Sequence, residues 1–150
     1  LLEKIDVSNV DVVKSTLEKY EKEIVKSKIE NAIVICQTGE VFHCFGDLNN
    51  VYPDEDLGEK LIGAFVTHNH PIGSANEYSF SKKDILLFTI NSLSILRGID
   101  ELFVYELNRH PEEIDTHVSI FEIDNFSARH EEVITFAEER KMGYRRWKHD

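Results

Sequence analysis

The sequence predicts an α/β protein, a mixed sheet covered by helices, in a single domain over residues 1–150. Three observations point there. The chain has 150 residues and 41% hydrophobic content, enough for one apolar core. Apolar runs of strand length at 31–36, 62–68 and 101–107 alternate with stretches of helical period. No repeat, low-complexity tract or Gly/Ser linker interrupts them, and only three prolines and seven glycines are present.

Residues 9–28, "NVDVVKSTLEKYEKEIVKSK", read as the first helix, with Val13, Leu17, Tyr20 and Ile24 on one stripe. Ser8 or Asn9 is placed to cap it. "NAIVIC" (31–36) is a short apolar strand, "QTGE" a turn and "EVFHCFG" (40–46) the returning strand. A two-residue turn at Thr38-Gly39 pairs Cys36 with Val41 and Cys44 with Ile33, so the thiols point to opposite faces. The two cysteines form neither a CxxC pair nor a disulfide framework and read as small core hydrophobes.

"DEDLGEKL" (54–61) contains a helical turn. "IGAFVTH" (62–68) is continuously apolar, as a strand central to a sheet should be. "SKKDILLFTINSLSIL" (81–96) reads as a helix with Ile85, Leu86, Phe88, Thr89 and Leu93 inward. "ELFVYEL" (101–107) and "HVSIFEI" (117–123) are strands, and "NFSARHEEVITFAEERKMG" (125–143) is the last helix, closed by Gly143. A right-handed crossover from 62–68 to 101–107 makes those two strands parallel.

A net charge of −11 disfavours generic nucleic-acid binding, because an acidic surface repels phosphate. The exception is "RKMGYRRWKHD", where Arg140, Lys141, Arg145, Arg146 and Lys148 surround Trp147; it reads as a solvated tail with one packed aromatic. No apolar run approaches the ~20 residues that span a bilayer. The start, "LLEKIDVSNV", lacks a basic region followed by an apolar stretch, so a cytoplasmic protein without a membrane partner is expected.

The chemistry concentrates in "VTHNHPIGSANEYSFSKKDI", residues 66–85. His68 and His70, two apart at a strand end, present both imidazoles on one side, and Pro71 stops the strand there. Zinc takes imidazole nitrogens and carboxylate oxygens, and a catalytic site keeps three protein ligands. Asp84, in the first turn of the helix that starts near Ser81, is the natural third. Read apart, Ser81-x-x-Asp84 is a capping box and His-x-His a polar turn; the combination is what suggests a metal.

Hydrolysis at a metal also needs a proton carrier. Glu30, Glu40, Glu55, Glu59 and Glu77 are candidates. If "NAIVIC" lies antiparallel to "IGAFVTH", Glu30 sits next to His68, whereas Glu40 would be ~20 Å away at ~3.3 Å per residue.

Glu30 before an apolar strand, then His68-Asn69-His70-Pro71, then Ser81-x-x-Asp84, resembles the JAMM motif of the MPN/JAB metalloproteases. "ENAIVI", "GAFVTHNHP" and "FSKKDI" are closest to its bacterial and phage branch, with RadC-like and polymorphic-toxin-associated members. The resemblance covers roughly residues 30–106. It implies a three-layer α/β/α sandwich of the cytidine-deaminase-like kind, and a zinc-dependent peptidase or isopeptidase acting on a protein or peptide. It implies Zn2+ held by His68, His70 and Asp84, with Glu30 as general acid/base and Ser81 supporting the oxyanion. His70 and Asp84 are separated by residues 71 to 83, a longer spacing than the family's usual one. The Pro-Cys-x-x-Cys of zinc deaminases is absent, so deamination is not expected. The alternatives are a non-catalytic JAB-like module and a RadC-like, DNA-linked role, the latter weakened by the acidic balance. His43, His110, His117, His130 and His149 are not expected to be ligands.

Overall fold

The computed structural model describes residues 1–47, 50–71, 80, 82–110, 133–135 and 137–148. The strand expected at 117–123 lies outside the described residues. The elements are β1 (Glu3–Lys4), α1 (Val10–Ile24), β2 (Asn31–Ile35), β3 (Glu40–Phe45), α2 (Pro53–Leu57) running into a 3-10 turn (Gly58–Leu61), β4 (Phe65–Asn69), α3 (Lys82–Ile90), β5 (Ile95–Ile99), β6 (Phe103–Asn108) and β7 (Gly143–Lys148). Residues 133–135 and 137–139 are also helical. The strands form one mixed sheet in the order β1-β3-β2-β4-β5-β6-β7. Among the described residues, β4 with β5 is the only neighbouring pair that is parallel. Among the described residues no helix is long and apolar enough to cross a membrane.

Helix α1 starts where Asn9 accepts hydrogen bonds from the backbone N–H groups of Asp11 and Val12, satisfying donors that the first turn leaves open. It buries Val13, Thr16, Leu17, Glu21 and Ile24. Val13, Leu17 and Ile24 pack on Ile33, Ile35, Ile95, Ile99 and Val104. Ala32, Val34 and Val66, from the alternate strand positions, join Phe88 of α3 and Val133 and Ala137 in a second cluster. Helices therefore stand against both faces of the sheet, with β4 at its centre as its unbroken apolar run suggests.

The β2–β3 hairpin differs from the expected one by a residue. Gln37-Thr38-Gly39 forms a three-residue loop, with Cys36 N–H donating to the Glu40 carbonyl at 2.9 Å and Gly39 in the left-handed region at φ 89. A Cβ at Gly39 would also meet the Ile5 carbonyl oxygen at 2.2 Å. The register is therefore Ala32↔Cys44 and Ile35↔Val41. Shifting pairing by one residue reverses facing, so both thiols enter the same cluster, buried and free.

The helix expected over 81–96 ends at Ile90. Ser92 takes a left-handed conformation at φ 49, and Leu93 N–H closes the turn on the Phe88 carbonyl. Residues 95–99 then form β5, the true parallel partner of β4. β6 pairs antiparallel with β5, so the expected parallel relation between 62–68 and 101–107 is corrected. With the helix shortened, Leu86 and Thr89 are exposed and Phe88 and Leu93 are buried.

The basic C-terminal stretch is not a solvated tail. Lys141, at φ 55, takes the left-handed position after the last helical residues. Gly143, expected to close that helix, opens β7 instead; a Cβ there would meet the His110 carbonyl oxygen at 2.0 Å. Arg145 donates to Glu106 at 2.7 Å, and the Arg97 and Arg145 guanidinium groups both lie over the Trp147 ring.

Candidate metal centre

β2 and β4 run antiparallel with Ala32 opposite His68. The antiparallel neighbourhood assumed for Glu30 therefore exists, and Glu30 lies two residues beyond Ala32 of the Ala32–His68 pair, on the side of His70. Glu30, His68 and His70 occupy alternate positions that face α3, and all three are buried. From α3, Asp84 completes the group. Phe80 is buried ahead of this helix against Tyr105 and Tyr144, with its ring 6.5 Å from that of His68. The long spacing between His70 and Asp84 thus still brings the carboxylate to the strand end.

Nε2 of His68 lies 3.0 Å from Nε2 of His70 and 3.3 Å from Oδ2 of Asp84, and the same oxygen is 3.9 Å from Nε2 of His70. Bonds of about 2.0–2.2 Å at a tetrahedral angle hold ligand atoms roughly 3.3–3.6 Å apart. The observed spacings bracket that value, so the three residues fit a small divalent cation. Their donor set, two imidazoles and one carboxylate, suits zinc and also other first-row metals.

The outer contacts orient the candidate ligands. Nδ1 of His68 is 2.7 Å from the Arg97 carbonyl, which accepts only from a protonated nitrogen, so the Nε2 lone pair faces the site. Burial disfavours charge on His68, but Asp84, Glu30 and the Arg97 carbonyl outweigh it and raise its pKa to about 9. The neighbouring carboxylates thus favour a positively charged ring at His68. Burial likewise pushes the Glu30 carboxyl up to about 7; the His68 charge opposes this and the Asp84 charge adds to it. A carboxyl poised near neutrality both takes and returns protons.

The other candidate acids stand elsewhere. Glu40 is at the far end of β3 beside the turn, Glu55 is in α2 and Glu59 is in the 3-10 turn. Glu77 and Ser81 lie outside the described residues, as do His117, His130 and His149. His110 is exposed. His43 is half-buried on β3, where desolvation lowers its pKa; its Nε2 lies 2.9 Å from the Asn31 side-chain oxygen.

Sequence reasoning missed two supporting groups. The Arg97 carbonyl leaves no trace in side-chain identity. Asn69, between the histidines, is fully buried and bonded to the backbone on either side of Glu30. Its signal was an asparagine inside a strand, where that residue is depleted unless its amide has partners.

Comparison with protein-family models, curated proteins and solved structures finds no match.

Proposed function

We propose that this chain is a zinc-dependent peptidase or isopeptidase of the JAMM type, with the cytidine-deaminase-like α/β/α sandwich that such a domain has. The observation that carries the reading is the convergence of His68, His70 and Asp84, with Glu30 buried beside them and poised near neutrality. His68 and His70 supply imidazole nitrogens and Asp84 a carboxylate oxygen to the metal. The zinc ion contributes Lewis acidity toward the scissile carbonyl and the attacking water. Glu30 takes a proton from that water as its oxygen bonds to the carbonyl carbon. It then gives the proton to the amine nitrogen as the C–N bond breaks, leaving a carboxylic acid and an amine. Ser81 is assigned as the donor to the oxyanion of the tetrahedral intermediate. We take the setting to be the cytoplasm, where two free cysteines are ordinary.

The test combines bound metal with turnover. Zinc content is measured after dialysis, and cleavage of linear and lysine-branched peptide libraries is followed by mass spectrometry with and without chelator. The reading expects about one zinc per chain and chelator-sensitive cleavage. Glu30→Gln should retain the zinc and lose about 10²–10⁴-fold in rate. Absence of zinc binding at micromolar levels, or wild-type cleavage by Glu30→Gln, would refute the proposal. Bound zinc with no cleavage of any library would favour a non-catalytic module.

A further inference from the structure

We infer that Asn69 is a positioning residue that fixes the Glu30 side chain relative to the metal ligands, through two hydrogen bonds to the backbone flanking Glu30. The role given to Glu30 rests on the proposed function; the clamp itself rests on geometry.

The β2–β4 ladder includes the pair Ala32–His68. The ladder pairing ends there, and Asn31 N–H bonds to the Asn69 side chain instead of to the Asn69 carbonyl. The Asn69 side chain then stands in for the missing strand. Its Oδ1 accepts from Asn31 N–H at 2.6 Å, and its Nδ2 donates to the Ile29 carbonyl at 2.9 Å. In an extended chain these two groups, on either side of residue 30, point the same way. A single amide thus grips both sides of Glu30 as a neighbouring strand would.

The opposite edge is held as firmly. Glu30 N–H donates to the Asp47 carbonyl at 2.7 Å, and the Glu30 carbonyl accepts from Gly46 N–H at 2.8 Å. Four hydrogen bonds therefore fix the peptides around Glu30, two toward β3 and two toward β4, and set the direction of its Cα–Cβ bond.

A second amide reinforces the clamp. Asn31 Nδ2 donates to the same Ile29 carbonyl at 3.0 Å, which accepts both bonds with its two lone pairs. That assignment leaves Asn31 Oδ1 as acceptor, so His43 Nε2, 2.9 Å away, must donate to it. His43 thus belongs to the support of Glu30, not to the metal.

Asn69 also lies between His68 and His70. One three-residue stretch therefore carries two candidate ligands and the grip on the candidate base. Displacing a reacting group by about 1 Å costs on the order of 10²-fold in rate. The ligands have anchors of their own, His68 on the Arg97 carbonyl and His70 through its N–H on Ile99. Loss of the Asn69 amide should therefore move Glu30 and spare the metal.

The experiment compares wild type with Asn69→Ala by three readouts: zinc affinity by competition with a chromophoric chelator, amide hydrogen exchange at Asn31 against Val34 and Val66, and kcat and KM on any reporter peptide the wild type cleaves. Expected are a zinc Kd within about threefold of wild type, Asn31 exchange faster by about tenfold with Val34 and Val66 unchanged, and a kcat lower by about 10²-fold at unaltered KM. A fall in zinc affinity parallel to kcat would overturn the inference and make Asn69 a support of the ligands. Equal acceleration at all three amides would also overturn it and make Asn69 an ordinary core residue. If Asn69→Ala does not fold, Asn69→Asp keeps the shape and the acceptor for Asn31 while losing the donor to Ile29. Asn31 exchange should then stay at the wild-type rate while kcat falls by about tenfold; an unchanged kcat would count against the clamp. If the wild type cleaves no reporter, the proteolytic reading fails, and the exchange and zinc readouts still decide the clamp.

Discussion

Nε2 of His68 stands 3.3 Å from Oδ2 of Asp84, while Nδ1 of the same ring is held 2.7 Å from the Arg97 carbonyl. The ring has one open nitrogen, aimed at a carboxylate inside the protein. A divalent cation held there would compete with a proton for that position, and the competition would have a thermodynamic signature.

His68 is raised from 6.5 to about 9, and Glu30 from 4.5 to about 7. Both groups hold protons more tightly when folded. The stability they contribute is complete below their unfolded values and is lost as pH rises through the folded ones. Chelator-treated protein should therefore lose about 5 °C or more in Tm between pH 6 and pH 9. Zinc must displace the His68 proton, so its stabilising increment should grow over the same range. Calorimetry with and without zinc measures both; a metal-free Tm that is flat or rises from pH 6 to 9 would contradict the electrostatics of the site.

Asp84→Asn separates the charge from the shape. With the carboxylate gone, burial acts on His68 with less opposition, its pKa falls, and the metal-free Tm becomes less sensitive to pH between 6 and 9. Zinc affinity should drop by more than the roughly 10–100-fold typical of losing an outer-shell partner, because a direct ligand has lost its charge. Chelator competition gives the affinity and thermal scans give the slope. Wild-type affinity in this variant would remove Asp84 from the ligand set.

Glu30→Gln should have opposite consequences for activity and for stability. Above pH 7 the folded wild type carries a carboxylate that burial penalises, and glutamine does not. Metal-free Glu30→Gln should therefore exceed wild type in stability at pH 8, by on the order of 2 kcal/mol, and lose that advantage by pH 5. Urea denaturation at the two pH values is the check. A variant less stable than wild type at pH 8 would mean that the Glu30 carboxylate is better solvated or paired than its burial implies.

The sequence disclosed those elements whose pattern has a single cause. Val13, Leu17 and Ile24 mark the buried stripe of α1, and the apolar runs of β2 and β4 mark strands covered on both faces. The grouping of His68, His70 and Asp84 was readable for a related reason: His68 and His70 share a strand face by parity, and Asp84 sits where a helix start returns to the strand end. β5 was hidden because "ILRGI" contains an arginine and a glycine. Arg97 is buried nonetheless, since Glu21 and Glu106 meet it, and tertiary pairing of that kind is invisible to periodicity. β7 was hidden likewise, because its cations read as solvated until Glu106 and the Trp147 ring are placed against them. The role of Asn69 was hidden because its partners are backbone groups 38 and 40 residues away in sequence.

Arg97 joins the two faces of the sheet, and its roles can be separated. Its backbone carbonyl holds His68 on the site's face. Its buried side chain bridges Glu21 of α1 at 3.2 Å and Glu106 of β6 at 3.0 Å. Burial would raise the Glu106 carboxyl, but Arg145 and Arg97 outweigh it and hold it below the usual range. Replacing Arg97 by methionine keeps apolar volume against Trp147 and leaves Glu106 with Arg145, but leaves the Glu21 carboxylate with the Thr67 hydroxyl, at 2.6 Å, and without its cation. Breaking one side of a buried ionic network costs about 3–5 kcal/mol. The double variant Arg97→Met/Glu21→Gln should recover part of that loss, because the residues are coupled and their effects do not add. Zinc affinity in Arg97→Met should stay within about tenfold of wild type, since the group that anchors His68 is main chain and survives the substitution. Urea unfolding and chelator competition on the same samples give both numbers. A stability loss under about 1 kcal/mol would show the Arg97 pairs to be no stronger than surface ones. A collapse of zinc binding would show that the side-chain network, not the carbonyl alone, holds the β4–β5 strand end in place.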